Sequence, residues 1–210
     1  MRRAIALAAL LAAASLAGLA ATATLADSVT MRARATVLRS EEAALGVFGA
    51  ISSGAEGEYV AVLGKECGVP GAFFRALGGA TTTAGGAWEA SIFIRTKTTL
   101  RAEWKDAQSA TVVVTPRAYL TLTKQPRGFR VVVGMQTGSA DGKRVVIERL
   151  TPGGWKKLQT VVVESDGYAP FAEKSRVQLK VPKGTTLRAV LPRSQTGACY
   201  LAGYSKLVRT

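Results

Sequence analysis

The chain has 210 residues, 28 of them Lys or Arg against 14 Asp or Glu, giving a formal charge of +14, with two cysteines and no histidine. Without histidine, both the commonest general base and the commonest metal ligand are excluded. A charge this positive directs attention to polyanions, and two cysteines most often form one disulfide in an oxidising compartment, although two buried thiols satisfy the same count.

In chain order, the first segment reads as a targeting signal. Met1, Arg2 and Arg3 make a positive start, Ala4 to Ala20 an apolar run, and small residues follow. Residues 1–26 are therefore expected to be a secretory signal peptide cut after Ala26, with Ala23 as the other cleavage position and an uncleaved membrane anchor as the rival reading. No later stretch is apolar over a comparable length, so no membrane span is expected in the mature chain. What remains, about 184 residues, has room for one large domain or two of about 90.

A repeat favours two. Thr98-Thr99-Leu100-Arg101-Ala102 recurs 87 residues later as Thr185-Thr186-Leu187-Arg188-Ala189. The flanks repeat as well: Ala90, Ile92 and Ile94 alternate with outward residues before the first copy, as Val177, Leu179 and Val181 do before the second. The first module, 27–115, carries strand candidates at Ala35 to Leu38, Ala44 to Ile51, Glu58 to Leu63, Ala72 to Leu77, Trp88 to Ile94, Thr99 to Trp104 and Ala110 to Thr115. The second, 116–210, carries them at Tyr119 to Thr123, Phe129 to Met135, Arg144 to Leu150, Trp155 to Val163, Ser175 to Val181, Thr186 to Leu191 and Leu201 to Val208. Turns are expected at Ser53-Gly54, Gly85-Gly86, Asp141-Gly142, Pro152-Gly153-Gly154 and Asp166-Gly167. Pro116, which has no N–H for a ladder, marks the boundary. No mature segment holds a 3.6-residue apolar period over three turns, so the expected fold is all-β: two sandwiches of seven short strands.

With the Thr-Thr-Leu-Arg-Ala strand repeated, Ser109 leading into Ala110 to Val114, and Gly153-Gly154-Trp155 in a hairpin, the chain resembles the tandem immunoglobulin-like or fibronectin type III-like modules of exported bacterial proteins, especially those of actinobacterial type. The resemblance covers nearly all of the mature chain. It departs from antibody domains, since Leu100 and Leu187 stand where a tyrosine corner is expected and Ala102 and Ala189 where a core cysteine is. Each module has one cysteine, so an intramolecular disulfide has to join the modules. In the resembled topology Cys67, after the third strand, and Cys199, between the sixth and seventh strands of the second module, both face the junction near Pro116. A Cys67 to Cys199 bond is expected on that basis, with two free thiols or an intermolecular bridge as the alternatives.

The charge is confined to one module. Asp27 to Thr115 holds nine basic and nine acidic residues, whereas Pro116 to Thr210 holds seventeen basic and five acidic. Lys174, Arg176 and Lys180 are in phase on one side of a strand, with Arg130 on a strand expected to neighbour it, and Lys156-Lys157 beside Trp155 elsewhere. This face is the candidate polyanion-binding site, for a phosphate-rich wall polymer, an acidic polysaccharide or anionic headgroups; a solvated face that keeps the domain soluble is the plain alternative. No aromatic platform is interleaved with the basic residues, so nucleic acid is not expected as a partner. Ser175 beside Lys174 and Ser205 beside Lys206 point to opposite strand faces and make no dyad; Glu41-Glu42 and Glu56 with Glu58 lack a surrounding motif, and a glycosidase pair among them is a remote option. Asp141 and Asp166 lack the company of a calcium loop, so neither metal nor cofactor is expected. Trp88, Trp104 and Trp155 are expected in packing, with a sugar-stacking surface as the alternative. The sequence thus predicts an exported binding or structural protein without catalytic activity, partnered by an anionic envelope polymer or another surface protein; the alternative is a purely adhesive protein-protein module.

Overall fold

A computed structural model describes residues 26–39, 43–135, 139–164 and 172–210, with the side chains of residues 43 and 172–174 left aside. All of the 1–26 signal-peptide reading but Ala26, together with the Asp166-Gly167 turn and Glu41-Glu42, lies outside the described residues. The first half holds β1 (Arg32–Ala33), β2 (Val37–Leu38), β3 (Ala43–Ala50), β4 (Tyr59–Glu66), β5 (Arg75–Thr81), β6 (Ala87–Ile94), β7 (Thr98–Trp104), β8 (Ala107–Gln108) and β9 (Val112–Pro116). They form two sheets, β1-β3-β6 and β2-β9-β7-β4-β5, with β8 on β7. Strict alternation drives this: every second residue of β6 and β7 is buried, as a half-buried strand with a side-chain period of two requires. Their inward faces supply one core, in which Val47, Val60, Val62, Ile94 and Leu100 are completely enclosed.

The second half holds β10 (Tyr119–Gln125), β11 (Gly128–Gly134), β12 (Arg144–Thr151), β13 (Gly154–Val162), β14 (Ala172–Val177), β15 (Thr186–Leu191), α1 (Arg193–Thr196), β16 (Gly203–Tyr204) and β17 (Val208–Arg209). Again there are two sheets, β10-β11-β14 and β13-β12-β15-β16, with β17 on β15. A separate core forms between them around Val131, Val133, Ile147, Leu187, Leu191 and Tyr200. The all-β expectation holds.

The repeated pentapeptide does the same work twice. Leu100 and Leu187, and Ala102 and Ala189, are fully buried on β7 and β15. The Ala102 N–H donates to Ser109 Oγ (2.9 Å), the Ser109 N–H donates back to the Ala102 carbonyl (3.0 Å), and the Ser109 hydroxyl donates to the Ala110 carbonyl (2.9 Å). Ala189 and Ser205 exchange the same pair of bonds (2.8 and 3.0 Å), and the Ser205 hydroxyl donates to the Lys206 carbonyl (2.8 Å). Arg101 and Arg188, one residue earlier, each lie over an aromatic ring, Phe74 at 4.1 Å and Trp155 at 4.0 Å. The spacing differs: Ala to Ser is seven residues in the first half and sixteen in the second. The extra residues contain α1 and Cys199.

That insertion reaches the first half. Cys199 is bonded to Cys67, immediately after β4, with the Cα atoms 5.5 Å apart, so the expected pairing is the one present. The Lys97 N–H donates to the Cys199 carbonyl (2.9 Å), the Leu201 N–H to the Pro116 carbonyl (2.9 Å), and the Ala118 N–H to the Leu201 carbonyl (3.1 Å). The Arg117 guanidinium adds a bond to the Ala202 carbonyl at 3.2 Å.

Several strand expectations need correction. Ala35 to Leu38 shrinks to β2 at Val37–Leu38, which runs parallel to β9 on the larger sheet, while β1 at Arg32–Ala33 lies before it and joins the smaller sheet through β3. Ala72 to Leu77 moves to Arg75–Thr81, where the edge strand pairs with β4 despite Gly78 and Gly79. Ser175 to Val181 is replaced by Ala172–Val177. Leu201 to Val208 breaks into β16 and β17, because Ser205 between them turns its hydroxyl to the β15 backbone. Pro116, expected just after the last strand of the first half, is the last residue of β9, and it lies beyond Val114, where pairing with β7 ends, so its missing N–H leaves no gap in the ladder.

Candidate anion-binding surface

The geometry of the basic face follows from the β10-β11-β14 register. Arg130 on β11 is the direct cross-strand partner of Arg176 on β14, and Thr123 of β10 sits opposite Arg130 on the other side. One row along, Lys174 pairs with Val132, and Val132 with Thr121. Ser175 and Val177 are buried, so Arg176 is on the outer face, exposed, with Arg130 half-buried beside it. Two like charges directly opposed on one sheet face destabilise the pairing. Among the described residues no carboxylate forms an ion pair with either arginine.

Lys180 is exposed, but it lies three residues beyond the end of β14 and not on the strand. Leu179 and Val181 on either side of it are partly buried against the second core, so the alternation outlasts the hydrogen-bonded strand. Of the four residues proposed from the sequence, the fold sets Arg130 against Arg176, places Lys174 at the next row and leaves Lys180 at the far margin.

A groove of about 600 Å³ opens at this face, lined by Gln125, Pro126, Arg127, Phe129, Arg130, Ser175 and Arg176. Its wall includes the β10-β11 turn, which sequence reasoning did not single out. Gly128 makes that turn possible: its φ is +125°, and a Cβ there would run into the Val177 carbonyl. The exposed Arg127 lies on that turn, three residues before Arg130, and lines the same groove as Arg130 and Arg176. Proline and glycine flanking a basic residue between two strands was the only sequence signal for it.

Other sequence candidates resolve into structural roles. Ser175 bridges the sheets, donating to the Val162 carbonyl (2.9 Å) and accepting from the Glu164 N–H (3.1 Å). Ser205 is committed to Ala189. Trp88 and Trp104 are buried in the first core, and the Trp104 ring N–H donates to Glu58 at 3.3 Å. Trp155 is half-buried beneath Arg188, which also pairs with Glu148 at 2.8 Å. Lys156 and Lys157 are exposed on β13, in the other sheet from Arg130 and Arg176, so they do not join this face. Asp141 and Gly142 form the expected turn, with Gly142 at φ +73°. Among the described residues there is no group of three or more Cys, Asp or Glu placed to hold a metal ion, and no helix long and apolar enough to cross a membrane.

No protein-family model and no curated protein sequence matches the chain. Among solved structures, it is similar to a purple acid phosphatase from yellow lupin (Lupinus luteus) seeds, at 11% identity and a TM-score of 0.40; the match covers 85% of this chain and 40% of that one. The chain thus spans well under half of that neighbour. The expectation that the chain has no enzymatic role is withdrawn. A likeness of this degree assigns no activity in its place.

Proposed function

We propose that the chain is an exported protein of the cell envelope or extracellular space, built from two tandem immunoglobulin-like sandwiches, 27–115 and 116–210, whose second module docks on an anionic surface polymer. The tandem reading is supported by the same division of strands between two sheets in each half and by the twin serine bridges at Ala102 and Ala189. Export is supported by the basic and apolar start of the chain and by the Cys67–Cys199 disulfide, a bond that persists in oxidising compartments. The observation that carries the docking reading is the direct opposition of Arg130 and Arg176, in a half with seventeen basic and five acidic residues. A sheet that places like charges opposite each other loses stability unless an anion lies across them.

The test is retention of the mature chain on immobilised polyphosphate or dextran sulfate across a salt series. Retention is expected to fall steeply as salt rises from roughly 0.05 to 0.5 M, as the screening length shrinks. It should be lost when Lys174, Arg176 and Lys180 are all changed to Ser. Retention that ignores both salt and these substitutions sinks the reading.

A second reading, adhesion to another protein, is favoured by the first module. Phe73 and Phe93 are 75% and 66% exposed there, beside Val69 and a groove of about 340 Å³ that also includes Arg75 and Arg95. Binding through that surface is expected to be insensitive to salt and to weaken on Phe93→Ser.

A further inference from the structure

We infer that the groove at the β10-β11 turn is a discrete site for a tetrahedral oxyanion ester, a sulfate or phosphate group carried on a polymer, gripped by Arg127, Arg130 and Arg176. The inference rests on the docking reading above and narrows it from a charged face to a shaped site. Among the described residues its cationic lining is Arg127, Arg130 and Arg176. A lysine presents a compact, strongly hydrated charge, whereas a guanidinium presents a planar fork that is more weakly hydrated and matches two oxygens at once. A surface that merely raises solubility has no need of that distinction.

The three arginines stand at three different stations: Arg127 on the turn, Arg130 on β11 and Arg176 directly across on β14. A sulfate or phosphate monoester offers three terminal oxygens in different directions, one for each station. A carboxylate offers two oxygens in one plane and leaves a guanidinium without a partner. The volume, about 600 Å³, is within the range of small-molecule sites and far exceeds a lone anion. It therefore has room for the sugar or chain unit that bears the ester. Gly128, with its positive φ and its close approach to the Val177 carbonyl, fixes the turn that carries Arg127.

The experiment is titration of the full mature chain, with its disulfide intact, against dextran sulfate, polyphosphate and polyglutamate at about 0.15 M salt. The variants are Arg127→Ser, Arg127→Lys and Lys157→Ser; both positions are exposed, and thermal melts confirm that each variant is folded. Loss of a charge-assisted hydrogen bond predicts that Arg127→Ser weakens sulfate or phosphate polymer binding about ten- to hundredfold, with Arg127→Lys recovering little of it, since lysine keeps the charge but not the fork. Lys157→Ser, on the other sheet, is expected to cost no more than about threefold through the weakened field. Polyglutamate is expected to bind at least about tenfold more weakly than the better of the two ester polymers, and the better one identifies whether sulfate or phosphate is the favoured ester. If Arg127→Lys binds like the wild type, or polyglutamate binds as well as the esters, the shaped site is overturned while the charged-face reading stands. If none of the three polymers binds even at low salt, both fall.

Discussion

Replacing Ser109 or Ser205 with Ala removes one oxygen from each half of the molecule and tests whether the two serine bridges hold their strands. Each hydroxyl accepts a hydrogen bond from the N–H of a fully buried alanine and donates one to the next carbonyl. Losing the acceptor strands a buried N–H, which costs about 1 to 3 kcal/mol, more than the net worth of an ordinary exposed hydrogen bond. The two sites differ in their access to water. Ser205 is buried at 8% exposure, so nothing replaces it and Ser205→Ala is expected near the top of that range. Ser109 is half-buried, so water can reach the Ala102 N–H and the cost falls to about 1 to 1.5 kcal/mol. Urea unfolding followed by tryptophan fluorescence separates the effects, because Trp88 and Trp104 report on the first core while Trp155 lies in the second half. Each substitution should move the transition of its own half, and the double variant should show the sum to within about 0.5 kcal/mol, since the sites share no partner. A cost below about 0.5 kcal/mol at Ser205, or a larger cost at Ser109 than at Ser205, refutes the reasoning.

Two further outcomes follow from named contacts. Removing the staple with Cys67→Ser and Cys199→Ser opens a loop of 132 residues; the chain-entropy relation puts the loss at up to about 5 kcal/mol, read as a lower denaturation midpoint with the fold retained. Arg176→Ser relieves the opposition to Arg130 and is expected to raise stability by about 0.2 to 1 kcal/mol at low salt, a gain that disappears in concentrated salt; a destabilised variant at low salt contradicts the like-charge argument.

What was legible in the sequence depended on how local its cause was. Alternation in Trp88 to Ile94 and Thr99 to Trp104 located β6 and β7 almost to the residue, because burial on one face is written every second position. The reduction of Ala35 to Leu38 to a two-residue strand parallel to β9 was not legible, because Thr36 and Leu38 find their partners in Thr115 and Arg117, far along the chain. The repeat was visible at Leu100 and Leu187, yet the serine bridges stayed hidden, since seven residues separate the pair in one half and sixteen in the other. α1 is four residues long, too short for any period to register. At the candidate site, Arg130 and Arg176 were found from strand phase and neighbourhood. Arg127 was missed because a turn has no phase, and only the path set by Gly128 brings it to the groove.

The Cys67–Cys199 bond also changes how the molecule bears tension. A pull applied between the two ends travels from the N-terminal strands through Cys67, across the sulfurs to Cys199 and out through the last strands, bypassing everything between. At about 3.5 Å per extended residue, the segments outside the loop, 26–67 and 199–210, lengthen to roughly 180 Å, while roughly 460 Å of chain inside it carries no load. Half of the first core and nearly all of the second, including the β10-β11-β14 face, lie within the unloaded loop. A chain tethered at one end and dragged at the other would shed β1 to β4 with β16 and β17 while the β10-β11-β14 face bears no load, and a reductant would convert the same chain into a fully extensible one.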